Sequence, residues 1–396
     1  MTETETTTTT PTPDALASVL ADAPFVRLVA ADDGDSVAAA GTLAGALRER
    51  GVPFQVRVSR DPVPDTADDE VAVTVGGRGG ARATEGAPAT HGIDGTKRPA
   101  SATAFAVARE LGGNPDPVTV LAGSVAAGSI PGTDGTSDAL DAAELAGRVT
   151  RRPGVAIPTA DLADGISAST LLRAPYSGAP EATRAAIAAL DLPADPDNDS
   201  HRRLASLVAV DTAAAAGAST RAPATVERAL RPYAIDDSGT PFETVGGYAD
   251  VLDALAHEAP GTGVALSLAT NPSDGLVTAA RDAWREHGLA AHRALDGATT
   301  GRYDGCVVAR VDATPATVPT VARLVRDFRS PEPVAIALDE SSGRIAAAAT
   351  ESVGLGDACR SVAAELGGTG WGTRARGGLE PNADPTEALA ALREAL

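Results

Sequence analysis

A strand, an acidic turn and a helix open the patterned part of this sequence, and that unit restricts the fold more than any other feature. Residues Phe25 to Ala31 (FVRLVAA) form an apolar run rich in Val, Leu and Ala, as expected of a strand buried on both faces of a parallel sheet. The turn Asp32-Asp33-Gly34-Asp35-Ser36 follows, and VAAAGTLAGALRERG then reads as a helix ending at Gly51, capped by Asp35 or Ser36. VPFQVRVS, Val52 to Ser59, alternates as a second strand. Such a unit places ligands at the carboxyl end of its first strand, beside the helix N-terminus. The acidic turn occupies that place.

Further elements extend the pattern. EVAVTV (Glu70 to Val75), after a loop rich in Asp and Pro, is a third strand running into Gly76-Gly77-Arg78-Gly79-Gly80. SATAFAVARELGG (Ser101 to Gly113) is a helix, and DPVTVLAG, within Asn114 to Ala122, reads as another strand. From there to about Arg231 the pattern is helical and rich in alanine: SDALDAAELAGRV, PEATRAAIAALDL, HRRLASLVAVDTAAAAG and APATVERALRPY. A connector from Ile235 to Gly246 leads into a second α/β pattern. There YADVLDALAHEAPG is a helix, GVALSLAT a strand, LVTAARDAWREHG a helix, YDGCVVARVDA a strand and VPTVARLVRDFRS a helix. EPVAIALDES and GRIAAAATES are paired strands, and LGDACRSVAAELGG is a helix before the glycine-rich loop GTGWGTRARGG. The expected α/β organisation is a tail and short helix over 1–22, a parallel-sheet domain over 23–235, a connector over 236–245 and a smaller α/β domain over 246–396.

Composition limits both core and partners. Only two Trp, four Tyr, five Phe and one Met occur in 396 residues, against 41 Gly, so the core must be Ala, Val and Leu with close backbone approach. The net charge is −20, and Lys97 is the single lysine among 33 basic residues. In dilute salt that charge repels nucleic acid. The same pattern fits a halophilic cytoplasm, where the screening length falls to about 3 Å and surface carboxylates mainly hold water and cations; an acidic protein that avoids nucleic acid is the alternative. Cys306 and Cys359 have no CxxC spacing and read as buried thiols of a reducing cytoplasm. MTETETTTTTPTP lacks a basic region and an apolar stretch, so it reads as a disordered tail and not a secretory signal. No run of 18 apolar residues occurs.

Several chemistries lack their motif. No Lys-Ser/Thr follows Gly76 to Gly80, so that run is not a phosphate loop, and no GxSxG elbow is present. His201, His257, His287 and His292 lie on separate helices without metal-ligand spacing and read as solvated helix-face residues. His91 is placed to orient the loop that follows it.

The order of elements resembles the DHH phosphoesterase superfamily, specifically its archaeal RecJ-like members. The resemblance rests on THGIDGTKRPASATAFAVARELGG (Thr90 to Gly113), on FETVGGYADVLDALAHEAPGTGVALSL, and on LGDACRSVAAELGGTGWGTRARGG (Leu355 to Gly378). It implies a two-domain DHH/RecJ-like architecture. In active members a motif HxDADG at the end of the first strand supplies acidic ligands to two Mn2+ or Mg2+ ions, which polarise the scissile phosphate and activate water. Here Ala30 stands for the histidine, Asp32 for the first aspartate and Gly34 for the second. Gly76-Gly77-Arg78 follows the strand that would carry Asp-His-His, and Ala126 and Ala127 stand where a further aspartate belongs.

A two-metal site needs on the order of six to eight donors, and at most three carboxylates remain near one strand end. The resemblance therefore implies a protein that has lost phosphodiesterase activity. It would act as a nucleic-acid-binding or scaffold subunit in DNA replication or repair, with the GINS complex and the MCM ring as partners. The alternative is an active Mn2+-dependent, single-strand-specific 5′-3′ exonuclease or small phosphodiesterase. Asp32 and Asp35 are the candidate remnant of the metal site, or else a helix-capping turn; no other cofactor is expected. Gly370, Trp371, Gly372, Arg374 and Arg376 are candidates for holding single-stranded nucleic acid, through backbone N–H groups, a stacking indole and two cations. A structural glycine turn is the other reading of that segment.

Overall fold

The computed structural model of the protein describes residues 11–60, 70–77, 90–193, 196–237 and 239–396. Most of the Thr-rich tail, the Asp/Pro loop after the second strand and Arg78 to Gly80 lie outside the described residues. The chain begins with α1 (Pro13–Asp22), β1 (Phe25–Ala30), α2 (Gly34–Arg50), β2 (Phe54–Val58), β3 (Glu70–Val75), β4 (Thr90–Ile93) and α3 (Ala100–Glu110). The four strands make a parallel sheet in the order β2-β1-β3-β4, with Val26 paired to both Phe54 and Val71. Central β1 is the apolar run expected of a strand covered on both faces. Asp33, not Asp35 or Ser36, caps α2, and Gly51 ends it with φ +78, a left-handed conformation that costs glycine nothing.

Helix α2 is buried from Gly34 through Ala44, which is why its residues are small all round rather than amphipathic. A Cβ on Gly41 would fall 2.4 Å from Ser267 Cβ, so the neighbouring helix approaches to backbone contact.

The middle of the chain is helical: α4 (Pro117–Ala126), α5 (Ser137–Leu145), β5 (Val149–Arg151), α6 (Leu162–Ala168), α7 (Pro180–Ala188), α8 (Asn198–Ala214), α9 (Ala222–Glu227), β6 (Tyr233–Ile235), α10 (Val245–Glu258), α11 (Pro260–Leu268) and α12 (Asp274–Asp296). Strands β5 and β6 form a small antiparallel pair. Two segments expected as strands are helices. Asn114 to Ala122 contains the first part of α4, capped by Asp116 with Pro117 in its first turn, and GVALSLAT contains most of α11. All seven residues from Val118 to Ser124 are buried, and a short helix buried all round carries no 3.6-residue pattern to distinguish it from a buried strand. Helix α10 packs against both α2 and α4, around Leu121, Tyr248, Leu252 and Trp284.

The C-terminal part comprises β7 (Thr299–Tyr303), β8 (Cys306–Val311), α13 (Val318–Leu324) running into a π-helical turn (Val325–Arg329), β9 (Val334–Asp339), β10 (Ile345–Ala349), α14 (Leu355–Leu366), β11 (Gly368–Gly372), β12 (Arg376–Pro381) and α15 (Pro385–Glu394). Its six-stranded sheet has the order β11-β12-β10-β9-β8-β7, antiparallel except for β8 beside β9. The glycine-rich segment expected as a loop is the hairpin β11–β12. A Cβ on Gly370 would fall 2.2 Å from Cys359 O, so glycine there admits α14. Cys306 and Cys359 are buried and unpaired. No helix among the described residues is long and apolar enough to cross a membrane.

Candidate functional site

The carboxyl end of β1 faces the C-terminal sheet across a cleft of about 530 Å3, whose lining includes Asp32, Arg60, His257, Arg323, Arg360 and Trp371. Three aspartates follow β1, and each has a different partner. Asp33 accepts hydrogen bonds from Ser36 N at 2.9 Å and Ser36 Oγ at 2.8 Å. Asp35 turns to α3 and accepts from Ala100 N at 2.6 Å and Ser101 N at 3.0 Å, capping that helix from outside. Burial, reinforced by the charge of Asp33, pushes its pKa up to about 7.

Asp32 reaches the opposite way. It pairs with Arg60 and stands 3.7 Å from His257 Nδ1 and 4.0 Å from Arg344 Nη2. Burial opposes its charge, but His257 and Arg60 together outweigh that and hold its pKa below the ordinary carboxylate value. The predicted remnants Asp32 and Asp35 thus serve different partners.

Asp253 on α10 is the anionic centre of the site. Its Oδ1 accepts from Gly34 N at 3.3 Å, and Arg376 Nη1 and Arg323 Nη2 lie 3.6 and 3.7 Å from its oxygens. Burial is the largest influence on it, yet the charges of Arg376, Arg323 and His257 prevail and bring its pKa down to about 2. Arg376 also donates from Nη2 to Ala126 O at 2.8 Å, joining β12 to the end of α4.

The far wall is built on Trp371. The guanidinium carbons of Arg60 and Arg344 each lie 5.0 Å from its ring. Both cations also meet Glu380, at 3.5 and 2.8 Å. The indole lies over Gly378, where a Cβ would fall 2.4 Å from the ring. Arg344 is only 3 % exposed, and burial, followed by the Arg60 charge, lowers its pKa to about 10. Of the residues predicted to hold nucleic acid, Trp371 and Arg376 are therefore engaged within the protein, and Gly370 and Gly372 lie in the hairpin. Among the described residues the Arg374 side chain reaches only Ser352 O, at 3.5 Å.

Three histidines expected to be solvated are buried instead. The His257 side chain is 7 % exposed and faces the cleft. His287 is bonded to Glu258 Oε1 at 2.9 Å and Thr320 Oγ1 at 2.8 Å, and His292 Nε2 to Ser169 O at 2.9 Å. His257 lies on α10, which is buried over most of its length, and His287 and His292 lie on the packed face of α12, so each faces another element and not water. Asp253, His257, Arg60, Arg323 and Arg344 escaped sequence reasoning as site residues. The spacing of Asp250, Asp253 and His257 on one side of an otherwise apolar helix is the signal that could have found the first two.

Over 386 residues the chain is 44% identical to the uncharacterized protein rrnAC1427 of Haloarcula marismortui, covering 96% of each. Residues 298–394 match the family model described as the C-terminal domain of that protein. The chain belongs to the rrnAC1427 family. In fold it is similar to CDC45 from Entamoeba histolytica, with a TM-score of 0.61 at 10% identity over 97% of this chain and 98% of that one. It is also similar to RecJ from Thermus thermophilus in complex with Mn2+, with a TM-score of 0.51 at 14% identity, over 97% of this chain and 54% of that one. The fold of this rrnAC1427-family chain is thus DHH/RecJ-like.

The residues present do not fit the metal pair that this fold implies. Among the described residues no three His, Cys, Asp or Glu side chains gather as a ligand set. The positions that should hold acids are closed by packing: a Cβ at Gly34 would fall 2.8 Å from Asp253 N and 2.9 Å from Ala126 Cβ. At Gly76, with φ +71, it would fall 1.8 Å from Ser36 Oγ. Guanidinium groups balance Asp32 and Asp253, while Asp33 and Asp35 are held by hydroxyl and backbone N–H groups.

Proposed function

We propose that this chain is a RecJ-like DHH-fold protein that no longer hydrolyses phosphodiesters and serves as a nucleic-acid-binding or scaffold subunit in DNA replication or repair. The observation that carries this reading is Asp253 held between Arg376 and Arg323, beside a residue 34 that has no room for a side chain. With Asp32 and Asp253 already facing cations, the site gains little from a divalent ion, since binding one there would release arginines into a buried space.

The full-length likeness to CDC45 supports a complete two-part scaffold, and the family resemblance supplies GINS and MCM components of a replicative helicase as partners. Single-stranded nucleic acid would be held by Arg360, which lines the cleft, and by Arg374 in the exposed turn between β11 and β12, whereas Trp371 and Arg376 keep the cleft in shape. The protein works in the cytoplasm, and its charge of −20 is an adaptation to salt rather than a barrier to nucleic acid.

The test is affinity purification of the tagged full chain from native extract in high KCl, read by mass spectrometry. Recovery of a GINS or MCM component is expected; repeated recovery of neither contradicts the assignment. In parallel, Arg374→Ala is expected to weaken single-stranded DNA binding measured by fluorescence anisotropy.

A further inference from the structure

Asp253, Arg323 and Arg376 form a partition, and a second cavity of about 430 Å3 lies on its other side. It is walled by the turn after α4, the end of α9 and the chain into β6, the first turns of α10, and the π-helical turn after α13. That volume is typical of small-molecule sites.

Its charge is opposite to that of the chain. Six arginines and four acidic residues line it, in a protein with 33 basic and 53 acidic residues. Three of those acids already have partners. Asp250 accepts from Thr170 N at 3.0 Å and Trp284 Nε1 at 2.8 Å, Asp253 faces Arg376 and Arg323, and Asp327 accepts from Arg326 Nε at 2.7 Å. The rim cations do not. Arg151 gives its Nε to a carbonyl, Arg231 O, at 3.3 Å, and the Arg228 and Arg231 guanidiniums have no hydrogen-bond or ion-pair partner among the described residues. Glu227 is the one lining acid left to offset these three cations at the open mouth of the cavity, which leaves an excess of positive charge for an anion.

Two backbone features meet at the same walls. Arg231 has φ +56, a left-handed conformation that a non-glycine residue adopts only when its surroundings impose it. The π-helical turn Val325–Arg329 contributes Arg326 and Asp327 to the lining, and π-helical turns are frequent at functional sites. Apart from Ser129, Thr225 and Glu227 the remaining lining is mostly apolar and includes Ile130, which is 52 % exposed, with Pro131 and Leu171. Tyr233 presents its ring there with the Arg151 guanidinium 5.6 Å from the centroid. An apolar slot with a guanidinium on an aromatic ring suits a planar base, and the free rim cations suit a phosphate.

We propose that this cavity binds a nucleoside phosphate, with the base between Ile130, Leu171 and Tyr233 and the phosphate held by Arg228 and Arg231. This site is separate from the β1 cleft, and its occupancy does not depend on whether that cleft hydrolyses anything.

Isothermal titration calorimetry on the full chain tests it, with AMP, GMP, CMP and UMP as probes and adenosine and inorganic phosphate as controls. At least one monophosphate is expected to bind one-to-one and at least tenfold more tightly than adenosine or phosphate. The doubly substituted R228E/R231E protein is expected to lose at least tenfold in affinity with an unchanged melting temperature, because both side chains are exposed and unpartnered. Leu171→Trp, which fills the slot, is expected to abolish binding while the single-stranded DNA affinity of the cleft persists. No heat with any monophosphate at millimolar concentration, phosphate binding as tightly as the nucleotides, or full affinity in R228E/R231E each overturns the proposal.

Discussion

Gly34 donates its backbone N–H to Asp253 Oδ1 at 3.3 Å, and a side chain at position 34 would meet the Asp253 backbone nitrogen at 2.8 Å. One contact thus fixes the first turn of α2 to α10 and closes the place that the DHH resemblance assigns to an acidic ligand. Asp253 and Asp32 then face arginines.

Gly34→Asp, which restores the acid of the family motif, is expected to destabilise the protein by about 1–3 kcal/mol from overpacking alone. The new charge beside Asp253 adds to that loss. Urea unfolding measures it, and a protein of undiminished stability that gains Mn2+ affinity would show that the space can reopen.

Arg376→Met leaves Asp253 facing Arg323 alone, and stability is expected to fall by about 3 kcal/mol, the low end for a broken buried pair because Arg376 is a third exposed. D253N/R376M, with both charges removed, is expected to recover most of the loss. A double variant as weak as the sum of the two single variants would show the pair to be uncoupled.

Asp35 makes stability depend on pH in an unusual direction. Its folded pKa of about 7 lies above the ordinary 3.8, so its contribution is full below pH 3.8 and is lost as the pH rises towards 7. Asp33, also shifted upwards by burial, acts in the same direction. Asp253, at about 2, acts oppositely: its contribution is present above pH 3.8 and is lost as the pH falls towards 2. Asp35→Asn is expected to flatten the stability profile between pH 4 and 7 and leave the acid limb intact, as read from melting temperature against pH.

Trp371 separates a structural role from a contact role. Packed between Arg60 and Arg344, it is expected to contribute about 1–2 kcal/mol through the two cation–π contacts, and more through the area it covers. Trp371→Ala should therefore lower the melting temperature. Unchanged stability with lost DNA affinity would instead make the indole a stacking platform.

The opening unit was legible because a strand covered on both faces and a glycine-ended helix leave unambiguous marks, and Phe25–Ala30 and Gly34–Arg50 fall where those marks put them. Val334–Asp339 and Ile345–Ala349 were legible as paired strands for a similar reason. α4 and α11 were not, since short apolar helices packed among other helices lose their periodicity. At the site, the resemblance set Gly34 and Gly76 at positions where it expects acids, but nothing in the sequence pointed to the arginines around Asp253. Asp32, Asp253, Arg323, Arg344 and Arg376 come from five separate elements or loops, and only the tertiary fold brings them together.

The most direct measurement is cleavage of a 5′-labelled single-stranded oligonucleotide by the purified full chain in high KCl with Mn2+, alongside the melting temperature with and without the metal. Arginine-balanced carboxylates predict no cleavage above a metal-free control and no stabilisation by Mn2+. Mn2+-dependent cleavage that disappears in Asp32→Ala would contradict the loss of hydrolysis.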